Sequence, residues 1–174
     1  MIGLGWINNL LLHLIMQPLL HSQLPFSKQT NSIETKNVKL DWRQGYVTGY
    51  SNIPNKVTGS IRNNFVSHTD DSEITLNACL GDGNFKDGKL IFNGIRNHEQ
   101  HGQEQDEGEY TPIVGNGIIH SGRHLHKVSD VTYGNRYVLI IWARSWGDVR
   151  SVTCPCCWLN NRLDDCCVCD WKWN

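Results

Sequence analysis

With 174 residues and a hydrophobic content of 39%, the chain can bury the core of one domain and is too polar for a membrane bundle. Its mean hydropathy of −0.42 and a net charge of −1, from 16 Lys and Arg against 17 Asp and Glu, offer no general attraction to nucleic acid. Acids gather between Asp70 and Glu109, which argues mildly against an anionic polymer as substrate. Of 7 Cys, all but Cys79 lie between Cys154 and Cys169. An odd total crowded at one end fits a metal clip or reduced thiols better than a disulfide framework. No N-x-S/T sequon asks for a secretory route.

Residues 1–40 are expected to form a helix and a linker. The first 22 residues are the most apolar of the chain. They lack the basic n-region and small-residue cleavage site of a signal peptide. Asn8, Asn9, His13, Gln17 and Pro18 interrupt the run that a membrane span would need. On a helical wheel Ile7, Leu10, Leu11, Leu14 and Ile15 share one face, with Asn9, His13 and Gln17 opposite. The expectation is an amphipathic helix packed on the domain through that face, in a soluble cytoplasmic or nuclear protein. Residues 23–39 read as a loop.

Residues 41–148 change to a period of two. Strands are expected at 45–50, 73–80, 89–92, 115–120, 125–128 and 136–144, with an extended approach over 60–67. The strand at 73–80 alternates as though only one face were buried. Turns fall at 51–55, 81–83, 87–88 and 121–123, while His98 and His101 lie in a solvated loop over 97–109. Many short strands with Gly-rich turns predict a mostly β, double-sheet jelly roll.

His68-Thr69-Asp70 follows the extended stretch. A His and a carboxylate two residues apart on extended chain point to one side, so both reach one ion. A third ligand must come from elsewhere, and His120, His124 and His126 supply candidates. Two His and one carboxylate with open positions form the facial triad of non-haem Fe(II) oxygenases. Of the three late histidines, His126 lies ten residues before a cation, Arg136.

This H-x-D, distal His and following cation resemble the 2-oxoglutarate- and Fe(II)-dependent dioxygenases of the prolyl 4-hydroxylase type. The similarity is closest to the 2-oxoglutarate and iron-dependent oxygenase domain-containing proteins. It rests on residues 68–77, on His120-Ser121-Gly122-Arg123-His124-Leu125-His126 and on residues 134–144. It implies a double-stranded β-helix with Fe(II) on His68, Asp70 and His126, and 2-oxoglutarate bound by Arg136 and Tyr50, with Tyr46 as substitute. It also implies an oxidoreductase acting on paired donors with incorporation of O2. Such an enzyme hydroxylates a prolyl or other peptide side chain, or a small molecule, releases succinate and CO2, and draws on L-ascorbate. No nucleic acid or membrane partner is expected. The alternative is a catalytically silent jelly-roll binding protein whose Cys-rich tail mediates contacts.

Around these residues, His120 is expected on a strand beside the site and His124 in a solvated turn. Asp71 and Glu73 would be outer or surface carboxylates, and Trp142 part of the core. The family's double-glycine turn is Asp87-Gly88 here. In the tail, residues 149–174, Cys154 and Cys157 make C-x2-C, and Cys167 and Cys169 make C-x-C. Four thiolates could close a structural zinc site; Cys166 competes with Cys167, and free thiols or disulfides are the other two readings.

Overall fold

The computed structural model describes residues 4–19, 39–95, 107–122 and 124–148. A helix, α1 (Leu4–Leu11), runs into a π-helical turn (Leu12–Met16). The strands follow as β1 (Trp42–Ser51), β2 (Phe65–His68), β3 (Ile74–Leu80), β4 (Phe85–Asp87) and β5 (Leu90–Ile95), then β6 (Glu107–Tyr110), β7 (Gly117–Ser121), β8 (His124–Val128) and β9 (Val131–Arg144).

One sheet has the order β1-β9-β3-β7, with β4 pairing to β9; the other has the order β2-β8-β5-β6. Every pairing is antiparallel. The chain crosses from sheet to sheet between β1, β2, β3 and β5, and again between β6, β7, β8 and β9, which is the jelly-roll path the strand pattern predicts. The second half of β9, residues 138–143, is apolar and largely buried because it lies between β1 and β3, whereas Tyr133 and Tyr137 before it are exposed.

The two faces of β9 feed two cores. Leu139, Ile141 and Ala143 of β9 join Ile74 and Leu76 of β3 under the helix residues Leu12 and Met16. Val138, one register position away, joins Tyr50, Leu90, Val128 and Val131 between the sheets. β3 therefore departs from the expected alternation. Ile74 to Asn77 are all buried, since the helix covers the face that would otherwise meet solvent.

The helix docks on a different line from the one the wheel predicts. Asn8, Leu12 and Met16 are buried, whereas Ile7, Leu10, Leu14 and Ile15 are exposed, Leu14 by 67%. The π-helical turn explains this. Widening the turn beyond 3.6 residues brings positions spaced by four into one straight line. Asn8 can approach because residue 45 is glycine: a Cβ there would fall 2.3 Å from Asn8 Nδ2. Gln17 Oε1 then accepts the Leu40 amide at 2.6 Å, tying the helix to the start of the sheet. Among the described residues no helix is long and apolar enough to cross a membrane. The predicted loop histidines His98 and His101 and the Cys tail lie outside the described residues.

Candidate metal centre

Strand register assembles the site. β2 and β8 pair so that His68 and His126 are direct cross-strand partners, and their rings lie 4.3 Å apart. Asp70, just past β2, is buried and held by its own amide, which donates to the Gly122 carbonyl at 2.8 Å. One ligand atom each from His68, Asp70 and His126 lies within 4.8 Å of the others. The His68 Nε2 is 3.5 Å from Asp70 Oδ1, and the His126 Nε2 is 3.8 Å from Asp70 Oδ2.

The orientation of both rings is fixed from behind. His68 Nδ1 donates to the Val66 carbonyl and His126 Nδ1 to the His124 carbonyl, each at 2.9 Å. A carbonyl can only accept, so each Nδ1 carries a proton and Nε2 is left as the ligand atom of each ring; on His68 a metal would displace the hydrogen that Nε2 shares with Asp70. That is the arrangement of metal-binding histidines. The carboxylate is braced likewise: Thr75 Oγ1 donates to Asp70 Oδ2 at 2.7 Å, and Ser72 Oγ lies 2.7 Å from Thr75 Oγ1. Two imidazole Nε2 atoms facing one carboxylate form a donor set that suits a divalent cation and fits Fe(II) with open positions.

The electrostatics agree. Burial alone would raise Asp70, but the His68 hydrogen bond and the His126 and His120 rings outweigh it and hold its carboxyl below the usual range. Burial pulls His68 down, yet the Asp70 and Val66 hydrogen bonds leave it raised. Burial lowers His126 against the pull of Asp70. The site therefore keeps a carboxylate and, at neutral pH, an uncharged His126.

Beside the three predicted ligands lie His120, on a strand next to the site as expected, and two residues that the sequence did not single out, Thr75 and Arg62. His120 is 3% exposed, with Nδ1 2.9 Å from the Ser121 carbonyl. Its Nε2, which has no hydrogen-bond partner among the described residues, lies 3.9 Å from Asp70 Oδ2. Burial, then His126, pushes its pKa down to about 4. Thr75 is its direct cross-strand partner. Arg62, between β1 and β2, lines the cleft together with Tyr46, Tyr50, His68, Asp70 and His126. The cleft measures about 430 Å³ with its open mouth included.

Arg136 lies deeper. It is fully buried, opposite Tyr50 across β1 and β9, and it is not among the residues lining the cleft. Among the described residues none of its three guanidinium nitrogens has a well-aligned hydrogen-bond partner; the Cys79 thiol, a weak acceptor, is the polar group nearest to one. Its Cζ sits 5.6 Å from the Tyr50 ring centroid. Burial lowers its pKa against the opposing pull of Cys79 and Tyr50. Tyr46 lines the cleft as well, its ring edge-on to Trp142; burial and then Asp70 push its phenol up to about 12.

Among the outer residues, His124 departs from expectation, whereas Asp71 is the surface carboxylate expected. His124 is in strand β8, half-buried, with its ring 6.0 Å from that of Phe92, where a solvated turn residue was expected. Glu73 is fully buried; its Oε2 accepts the Ser145 amide at 2.6 Å and anchors the end of β9. Asp71 pairs with Arg144 Nη2 at 2.7 Å. Trp142 is half-buried, facing the cleft side of its sheet beside Tyr46.

No family model matches the chain. Among curated proteins, it is 36% identical over 115 residues to a 2-oxoglutarate and iron-dependent oxygenase domain-containing protein of Arabidopsis thaliana, covering 64% of this chain and 27% of that one. It is 40% identical over 90 residues to 2-oxoglutarate and iron-dependent oxygenase domain-containing protein 2 of Xenopus tropicalis, covering 52% and 25%. The chain thus spans about a quarter of the length of these relatives. Among solved structures, an oxidoreductase of the 2OG-Fe(II) oxygenase family from Burkholderia pseudomallei superposes with a TM-score of 0.43 at 18% identity, over 59% of this chain and 46% of that one. A Pseudomonas putida prolyl-4-hydroxylase gives the same score and identity over 60% and 52%.

Proposed function

We propose, for a chain homologous to the 2-oxoglutarate and iron-dependent oxygenase domain-containing proteins, that it is a Fe(II)- and 2-oxoglutarate-dependent dioxygenase. The observation that carries this reading is the trio His68, Asp70 and His126, with donor atoms within 4.8 Å of one another and both imidazoles braced through Nδ1. Bound iron and 2-oxoglutarate would supply the oxidising power, with O2 divided between succinate and a hydroxylated substrate and CO2 released.

The protein's own part follows from its side chains. His68, Asp70 and His126 would hold the metal on one side and leave the other open. Thr75 and Ser72 keep Asp70 in one rotamer. Arg136, with Tyr50 beside it, would clamp the far carboxylate of 2-oxoglutarate, for which a planar guanidinium is well matched. A buried cation with no partner is costly until an anion arrives, which supports this assignment. Tyr50 lines the cleft and Arg136 lies behind its lining.

The same proposal includes a catalytic unit over residues 41–148, a peptide or small-molecule substrate, L-ascorbate as accessory reductant, and a cytoplasmic or nuclear setting. A zinc site on Cys154, Cys157, Cys167 and Cys169 is a separate part of it. Succinate release from 2-oxoglutarate with added iron, compared between the wild type and Asp70→Asn, tests the reading. Iron-dependent succinate formation that the variant abolishes is the expected result. Equal rates would remove Asp70 from the site.

A further inference from the structure

Arg62 is a second cation of the cleft, and the reading above leaves it without a role. Its backbone is pinned, because the Ser51 amide donates to its carbonyl at 2.8 Å in an isolated bridge to the end of β1. Its guanidinium carbon lies 5.9 Å from the Tyr50 ring centroid, within reach of a cation–π contact. Yet the residue is exposed, and it forms no ion pair among the described residues.

The Tyr50 ring therefore has two arginines within 6 Å, Arg136 at 5.6 Å and Arg62 at 5.9 Å. They differ in depth: Arg136 is fully buried and outside the cleft lining, whereas Arg62 is exposed and within it. A dicarboxylate such as 2-oxoglutarate has one carboxylate at its far end, and the buried cation suits it. The exposed cation lines the same cleft as His68, Asp70 and His126 and is within reach of a molecule arriving from solvent.

We infer that Arg62 is a specificity-determining residue that selects substrates carrying a carboxylate close to the carbon attacked. This rests on the dioxygenase reading proposed above and names the substrate class of that same site. Arginine suits the task because its fork meets both carboxylate oxygens at once. The neighbouring Tyr46 and Thr48 add hydroxyls to complete the subsite. A single acidic group near the reacting carbon differs from an anionic polymer, against which the acidic 70–109 region argues.

Binding of small probes to protein loaded with Mn(II) and saturating 2-oxoglutarate, without oxygen, tests this. The probes are acetyl-Glu-Pro-Glu-amide, acetyl-Gln-Pro-Gln-amide and free glutarate. The wild type should bind the Glu peptide or glutarate at least about ten-fold more tightly than the Gln peptide, about 1.4 kcal/mol. A preference for the peptide assigns the carboxylate to a side chain, and a preference for glutarate assigns it to a small acid. Arg62→Ala should erase the preference and Arg62→Glu reverse it, with affinity for Mn(II) and 2-oxoglutarate held within about two-fold. Three results overturn the inference: no preference in the wild type, a preference that survives Arg62→Ala, or an Arg62→Ala protein that loses 2-oxoglutarate itself. Mn(II) binding to His68→Ala is the separate check on the metal reading. If that variant binds Mn(II) as the wild type does, the metal reading fails whatever Arg62 does.

Discussion

Tyr50 and Arg136 are direct partners across β1 and β9, and the guanidinium carbon of Arg136 lies 5.6 Å from the centre of the Tyr50 ring. The arginine is fully buried, and among the described residues its guanidinium meets no carboxylate, only the Tyr50 ring and the weakly accepting Cys79 thiol. A site built in this way is unfavourable for folding and favourable for binding an anion.

That relationship predicts a stability–function trade. Arg136→Met, similar in length and uncharged, should stabilise the ligand-free protein by about 1 kcal/mol or more, since buried ionic groups are often replaced by apolar ones at a gain. The same variant should lose the thermal shift that 2-oxoglutarate gives the Mn(II)-loaded wild type. Arg136→Ala should raise the Michaelis constant for 2-oxoglutarate at least about ten-fold, about 1.4 kcal/mol. Denaturant titration and thermal shift measure both sides. A variant that kept its 2-oxoglutarate shift would show that another cation holds the carboxylate.

The brace behind Asp70 makes a second prediction. Thr75→Val removes the hydroxyl that donates to Asp70 Oδ2 while keeping nearly the same shape. Outer hydrogen bonds to metal ligands contribute about 10–100-fold in affinity, so Mn(II) binding followed by electron paramagnetic resonance should weaken by at least about ten-fold. Unchanged affinity would mean that Asp70 holds its rotamer through His68 and the backbone alone.

Acid sensitivity of the metal-free protein follows from His120. Its folded pKa, about 4 against an ordinary 6.5, is depressed, so between those values the unfolded chain binds the proton and the folded chain does not. Stability must then fall as pH drops from 6.5 towards 4, by roughly 3 kcal/mol at most for this group. His126 and His124 are lowered too and act in the same direction. His68 is raised and works the other way: its contribution is complete below 6.5 and is lost as pH rises through its folded value. Urea titrations in chelator at several pH values should show a shallower acid slope for His120→Phe than for the wild type. Parallel slopes would mean that His120 is not the group responsible.

The residues that were legible in sequence are those whose neighbours are set by local geometry. His68 and Asp70 share a side because an extended chain repeats every two residues, and His126 and Arg136 are joined by the short connection that carries the chain from β8 to β9 in the facing sheet. His120 was legible as a strand residue beside the site, whereas Thr75 and Arg62 were not legible as site residues. Thr75 meets His120 through the β3–β7 register, and Arg62 reaches Tyr50 through a bridge to Ser51; neither spacing repeats along the chain. The helix was legible as a helix but not in its docking face, because a wheel drawn at 3.6 residues per turn cannot anticipate the π-helical turn at Leu12–Met16.

Gly88 shows how a turn outside the site can control it. Its φ of +73° lies in the left-handed region, and Asp87 before it is also left-handed at 63°. A Cβ at position 88 would come within 2.7 Å of Val131 Cγ2 and 3.2 Å of Arg136 Cδ. Both contacts are with fully buried side chains of β9, so an added methyl must displace Val131 and press on the Arg136 stem. Gly88→Ala should therefore cost about 1–3 kcal/mol of stability, from backbone strain and overpacking together. It should also weaken 2-oxoglutarate binding, although residue 88 does not line the cleft. Asp87→Gly relaxes the left-handed residue beside it without adding an atom near Arg136. It should leave 2-oxoglutarate affinity as it is, and it separates turn strain from displacement of the arginine. If Gly88→Ala lost stability but bound 2-oxoglutarate as tightly as the wild type, the position of the Arg136 side chain would not depend on this turn.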